Sequence, residues 1–298
     1  MEMNKIYFNF LSIPSISFKK AKFIVFPIGY EGTVTGNSGT KFAPLSIIYS
    51  SRNFELYDEE LGFEPYKIGV RTEEEIETDF SSPEKMIKKL EKVSLYYLKN
   101  KKFIIGIGGE HTITLGLFKA YKKYFNDLNY ICLDAHTDLR EKYNHTRFSH
   151  ACVNRRIYEE RCNLYILGVR SISKEEVEFL KEKNEIKVYY AYQMKREKWE
   201  EKIIKDIQPG KYYLSIDVDF FDPSLIPETG TPEPNGFFWD ETLKFLKNLI
   251  LRKDIEICGF DLVELAPTKI FTSTSLICSK LIYKIIGYLV LKWKSMNF

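Results

Sequence analysis

Four short segments deliver acid or imidazole directly after an apolar run. FIIGI leads into GGEH (108–111), NYICL into DAHTD (134–138), YYLSI into DVD (217–219) and EICGF into DLVE (261–264). In extended chain, residues i, i+2 and i+4 share a face. Asp134, His136 and Asp138 therefore point one way, and so do Asp217 and Asp219. Ionised carboxylates gathered away from water are costly, and close like charges raise one another's pKa. No matching cluster of Lys or Arg stands near these positions. Divalent metal is the natural counter-charge. Four Asp carry −4 and two divalent ions +4, so a binuclear site balances.

The histidines sharpen this reading. The chain has four, at 111, 136, 145 and 150, and His111 and His136 each follow an apolar run. Imidazole and carboxylate without thiolate favour a borderline-hard ion such as Mn2+ over structural zinc. Each feature alone has a plainer meaning. A lone DxD caps a turn, a lone buried His is a satisfied core residue, and GGEH serves a strand-to-helix turn. Their joint occurrence after apolar strands argues for metal. Asp222-Pro223 is read as shaping the turn after Asp219.

Elements must position these groups. β-rich apolar runs predict strands at 22–27, 67–71, 103–106, 130–133, 164–167, 187–190, 212–216 and 256–260. Helical periodicity predicts helices at 43–53, 82–98, 112–125, 174–183, 195–207, 239–251 and 274–292. Continuous apolar strands suit a sheet covered on both faces. Strand–helix alternation with no Gly/Ser/Pro linker implies one parallel α/β domain over residues 1–298. Ligands in such a sheet sit at the carboxyl ends of its strands.

Composition excludes several classes. The net charge of +3 gives no case for nucleic acid or an anionic membrane. Tyr (20) and Phe (22) are too abundant for disorder. Five cysteines with no CxxC pair indicate neither a disulfide framework nor a zinc ribbon. They point to a reducing compartment. Lys5, Lys19 and Lys20 interrupt the N-terminal apolar stretches, so no signal peptide is read. The apolar stretch 276–291 is broken by Lys280 and Lys284 and is read as too short to span a bilayer. The expectation is a cytoplasmic protein.

In this order, GGEHT (108–112), DAHTD (134–138), SHACVNRR (149–156), SIDVDFFDP (215–223), GTPEPNG (230–236) and GFDLVELAP (259–267) resemble the ureohydrolase superfamily of arginase and agmatinase. The segment YEGTVTGNSGTKFAP (30–44), continuing to LYDEEL (56–61), resembles the agmatinase branch in particular. The resemblance spans about residues 22–292. It implies a three-layer α/β/α fold around a mostly parallel sheet of about eight strands, and two Mn2+ ions per subunit. Carried over motif by motif, it implies His111, Asp134, His136, Asp138, Asp217 and Asp219 as metal ligands. His150 matches a proton-relaying position, Glu264 the carboxylate that anchors the guanidinium, and Thr231 a residue at the active-site mouth. A homotrimer or homohexamer is also implied. Two departures stand out. Asn235-Gly236 replaces the usual pair of glycines, and 269–275 lacks the acidic residue of many relatives.

The implied chemistry is hydrolysis of agmatine to putrescine and urea, a step of polyamine biosynthesis. A guanidinium carbon is a poor electrophile, and two metals sharing one water supply a strong nucleophile at neutral pH. Glu264 would hold the cation, and Asp138 and His150 would move the proton to the leaving amine. Other guanidino or formimino substrates are aminopropylagmatine, guanidinobutyrate, arginine and formimidoylglutamate. A non-catalytic paralogue would need a broken site, whereas the ligands, His150 and Glu264 are intact. A binuclear phosphoesterase would need late histidines, and none follows position 150.

Overall fold

The computed structural model describes residues 7–196 and 198–296. Eight apolar runs form strands: β1 (Phe23–Ile28), β2 (Val70–Thr72), β3 (Phe103–Gly108), β4 (Leu128–Leu133), β5 (Leu164–Val169), β6 (Ile186–Tyr190), β7 (Gly210–Asp217) and β8 (Ile255–Val263). They pair in one sheet in the order β2-β1-β3-β8-β7-β4-β5-β6. Every pairing is parallel, so the expected "mostly parallel" sheet is wholly so.

Alternation along the strands builds two cores. In β1, Phe23 and Val25 face one side, with α1 (Ala43–Ser50), α7 (Trp199–Asp206), α8 (Trp239–Leu251) and α9 (Ser273–Met296). Ile24, Phe26 and Ile28 face the other, with α2 (Pro83–Lys99), α3 (Thr112–Tyr124) and α4 (Val153–Glu159). A sheet buried on both faces needs apolar residues at every strand position, and β1, β3 and β5 are buried throughout. The result is the expected three layers.

Caps set several boundaries. Ser82 accepts from Lys85 N at 3.2 Å ahead of Pro83, starting α2. Ser173 and Glu176 form a capping box on α5 (Lys174–Leu180), which ends before the expected 183. The expected strand at 67–71 begins later, because Pro65–Ile68 coils into a 3-10 turn and Gly69 has φ 107°. The expected helix at 195–207 shortens to α7, and α6 (Ala191–Met194), which was not expected, precedes it. The helix α4 was not expected from the sequence. It is seven residues long, and its Arg156 is buried in a polar network rather than lying on a solvent face.

The helix α9 corrects another expectation. It runs 24 residues and is long and apolar enough to cross a membrane, by length and composition. It is a core helix here: 78% of its most apolar window is buried inside the protein. Lys284 within it meets buried Asp58 at 2.9 Å and Glu60 at 3.0 Å. These pairs tie the 56–63 segment to the helix.

Candidate metal centre and active site

The strands with chemical residues at their mouths are β3, β4, β7 and β8. They are scattered in sequence yet adjacent in the sheet, in the order β3-β8-β7-β4. All run parallel, so their carboxyl ends open on one edge. This juxtaposition gathers His111, the 134–138 segment, Asp217, Asp219 and Glu264.

At the centre lies His111, at the start of α3 and 0% exposed. Its Nδ1 is 3.4 Å from Asp134 Oδ2, 3.0 Å from Asp138 Oδ2 and 3.4 Å from Asp217 Oδ2. None of these oxygens makes a hydrogen bond to it, and the buried nitrogen has no other partner. A lone pair ringed by three carboxylate oxygens calls for a cation. The second group follows from the other face of Asp134. Asp134, His136 and Asp219 bring one donor atom each within 4.8 Å of one another. His136 Nδ1 is 2.8 Å from Asp219 Oδ2 and 3.7 Å from Asp134 Oδ1. Asp134 thus turns one oxygen to each histidine. The donor set fits divalent metal. All six residues named from the sequence come together.

The electrostatics agree. Burial pushes the Asp134 carboxyl well above the usual range, and Asp138 and Asp219 push it further. Asp217 is raised likewise by burial, Asp219 and Asp134. Burial also opposes charge on Asp219, but His136 beside it and the Ala135 N–H at 2.9 Å hold it down to about 2. Burial disfavours the His136 imidazolium, yet Asp219, Asp138 and Glu233 raise it to about 9.

Glu264 stands one residue past β8 with φ 66°, and Asp138 has φ 48°. Such backbone costs about 1–3 kcal/mol each for residues other than glycine. It aims both carboxylates into one cavity of about 260 Å3, lined also by Asp217, Asp219, His150 and Thr231. Glu264 Oε1 accepts the His111 N–H at 2.6 Å. Its carboxyl is pushed well above the usual range by burial, with Glu110 and Asp219 adding to it. Thr231 Oγ1 sits 3.5 Å from Asp219 Oδ2. His150 meets Thr33 Oγ1 through Nδ1 at 3.3 Å and Thr35 Oγ1 through Nε2 at 3.1 Å, and its ring stands edge-on to Tyr143.

Supporting residues escaped the sequence reading. His111 Nε2 lies 3.2 Å from Ser215 Oγ, which donates to Asp261 Oδ1 at 2.6 Å. Tyr213 donates to the other Asp261 oxygen at 2.8 Å. Asp261 therefore belongs behind His111 inside β8 rather than at the mouth. The donor set was read as free of sulfur, but Cys132 Sγ sits 3.7 Å from Asp134 Oδ2 and 3.9 Å from His111 Nε2. Burial and then Asp134 push its thiol well up, so it packs there as a neutral group. Arg170 donates to the carbonyls of Asp219 at 2.5 Å and Glu233 at 3.0 Å, binding the DVD turn to the GTPEP loop. The signal for Ser215 and Asp261 was their period-2 spacing below Asp217 and Val263. Arg170 carried none.

The departures are absorbed locally. Asn235 has φ 66°, a conformation that Asn tolerates. Gly236 beside it is required, because a Cβ there would lie 2.4 Å from Asp222 N. At 269–275 the nearby acid comes from Glu228, which accepts from Thr268 N at 2.9 Å.

Comparison with known proteins fits this geometry. The model of the arginase family matches residues 21–287. The N(1)-aminopropylagmatine ureohydrolase of Synechocystis sp. is 34% identical over 279 residues, covering 91% of this chain and 90% of its own. The agmatinase of Pyrococcus horikoshii is 33% identical over 283 residues, covering 93% and 95%. The crystal structure of agmatine ureohydrolase of Thermoplasma volcanium superposes with a TM-score of 0.87 at 28% identity, covering 99% of this chain and 97% of that one. The chain belongs to the arginase family, the ureohydrolases, in its agmatinase branch.

Proposed function

We propose that the protein hydrolyses the guanidino group of agmatine to urea and putrescine, using two Mn2+ ions. The observation that carries this reading is the unpartnered His111 Nδ1 ringed by three carboxylate oxygens at 3.0–3.4 Å, with Glu264 fixed beside it. His111, Asp134, His136, Asp138, Asp217 and Asp219 would hold the ions. When bound, they supply Lewis-acid activation of a water at neutral pH.

The chain's own residues do the rest. Glu264 holds the flat guanidinium by charge-assisted hydrogen bonds. A cation there also offsets the burial, and the repulsion from Glu110 and Asp219, that keep its carboxyl raised. Asp138 Oδ accepts the proton released by the attacking water. His150, which lines the same cavity, delivers one to the departing amine. Thr231, against Asp219, shapes the mouth.

A second reading keeps this chemistry and lengthens the substrate to N(1)-aminopropylagmatine. Two relatives of that name are 34% identical to this chain. Both readings need a site without a carboxylate clamp. Arg147 is taken up by Glu141 and Glu159. Arg140 stacks on Tyr143 at the cavity wall and is the residue an arginine-selective site would use. Guanidinobutyrate and formimidoylglutamate would need such a clamp too.

The same proposal takes residues 1–298 as one domain in a reducing cytoplasm, which five free, buried cysteines support. It takes the assembly as a homotrimer or homohexamer. Exposed Phe42, Leu45, Ile270 and Phe271 offer apolar surface, and Ser46 Oγ meets the Lys269 carbonyl at 3.4 Å between these segments. Chelated protein should release no urea from agmatine and should regain activity with about two Mn2+ per chain. Full turnover by metal-free protein would remove the metal from the account.

A further inference from the structure

Glu110 follows Gly109 at the end of β3 and is 0% exposed. Both its oxygens are met by donors. Oε2 accepts the N–H groups of Gly32 at 2.7 Å and Thr33 at 2.6 Å. Oε1 accepts the Thr33 hydroxyl at 2.6 Å. A hydroxyl has one proton, and the Thr33 proton is committed to Glu110. Toward every other neighbour, Thr33 Oγ1 is an acceptor. Those neighbours are the His150 N–H at 3.1 Å, His150 Nδ1 at 3.3 Å and Thr112 Oγ1 at 3.4 Å. An acceptor facing an imidazole nitrogen requires that nitrogen to carry the proton. The other nitrogen, Nε2, meets Thr35 Oγ1 at 3.1 Å, and Thr35 and His150 both line the cavity.

We infer that Thr33, ordered by Glu110, is a positioning residue that keeps the imidazole proton of His150 on Nδ1 and leaves Nε2 as the proton-exchanging atom on the cavity side. Its importance for turnover rests on the reading of His150 as the proton carrier. The neutral ring has two tautomers, and the partner of one nitrogen decides what the other does. Here the one-way chain from His150 through Thr33 to Glu110 makes that choice before substrate arrives. In turnover, Nε2 of the neutral ring takes up a proton from solvent and gives it to Thr35 Oγ1, and the Thr35 hydroxyl proton passes to the leaving nitrogen. Nδ1 keeps its proton throughout, and His150 returns to the neutral tautomer from which it started.

The test reads the tautomer directly in metal-free protein. The chain has only four histidines, so 15N-histidine labelling gives few resonances, and His150→Asn identifies the one that matters. Long-range 1H–15N correlation of the neutral ring should place the proton on Nδ1. Thr33→Val should shift the ring toward the Nε2–H form, and Thr33→Ser should keep Nδ1–H. With Mn2+ restored, Thr33→Val should lower kcat at least tenfold at unchanged KM and metal content, and Thr33→Ser should recover most of it. A wild-type ring protonated on Nε2, or a Thr33→Val ring still wholly Nδ1–H, overturns the inference. The wild-type spectrum alone decides if Thr33→Val does not fold. Unchanged kcat in His150→Asn would instead sink the proton-carrier reading, leaving the tautomer result standing.

Discussion

The backbone N–H of His111 donates to the Glu264 carboxylate at 2.6 Å, joining the start of α3 to the residue that follows β8. One bond fixes the distance between the imidazole proposed to face metal and the carboxylate proposed to hold the guanidinium. Glu264→Gln keeps an acceptor for that N–H but removes the charge. The kcat/KM should fall at least a hundredfold, about 2.7 kcal/mol, with metal content unchanged. Steady-state urea assays and metal analysis of the same preparation check both halves.

The carboxylate cluster should give the metal-free protein an unusual pH response. Asp134, Asp217 and Glu264 have folded pKa values raised by burial and by neighbouring carboxylates, Asp219 among them in each case. Raised groups contribute stability that is present below the unfolded pKa and lost as pH rises toward the folded one. His136, opposed by burial but raised to about 9 by Asp219, acts in the same direction between about 6.5 and about 9. Asp219, lowered to about 2, acts oppositely, but only below about 3.9. The Tm of metal-free protein should therefore fall as pH rises from about 6.5 to about 9. With Mn2+ the slope should reverse, because metal displaces protons. Asp134→Asn should raise the Tm without metal and lose at least one ion. Thermal melts across pH, with and without Mn2+, check the slopes.

His150→Asn should lower kcat by about 10²- to 10⁴-fold while the protein still binds two ions. Among the described residues, the His150 ring meets the Thr33 and Thr35 hydroxyls and stands edge-on to the Tyr143 ring, with no metal-candidate residue among these partners. Loss of metal in this variant would make His150 a ligand, against the role given to it.

Lys284 tests the scaffold apart from the chemistry. It is 3% exposed and pairs with Asp58, itself 0% exposed. Lys284→Met leaves a buried carboxylate uncompensated, a loss of about 3–5 kcal/mol. Urea denaturation should show that loss. The Mn2+ content of the folded fraction should not change, since Lys284 lies on α9 rather than at the strand mouths.

Much of this was legible in the residues. All eight strands are legible as apolar runs, because a parallel sheet buried on both faces admits few other patterns, and the six candidate ligands follow from those runs that end in acid or imidazole. What stayed hidden depends on packing. Ser215, Asp261 and Tyr213 read as strand interior, and only the pairing of β7 with β8 brings them into one network. Arg170 follows β5 as an ordinary surface cation would, yet it closes on four backbone carbonyls 49 to 63 residues away and one close by. The helix α4 lacked a caps-and-stripe signature, since Asn154 and Arg156 are buried in it. Lys284 was read as interrupting the apolar stretch of α9, whereas its ammonium is neutralised by Asp58 and Glu60 inside the core.

The substrate is the most direct test of the central claim. Steady-state urea release from agmatine, N(1)-aminopropylagmatine and arginine should be compared at equal Mn2+. Agmatine or its aminopropyl derivative is expected to show a kcat/KM at least tenfold above arginine, a gap of about 1.4 kcal/mol. Equal or faster turnover of arginine would contradict the account and assign Arg140 to a carboxylate.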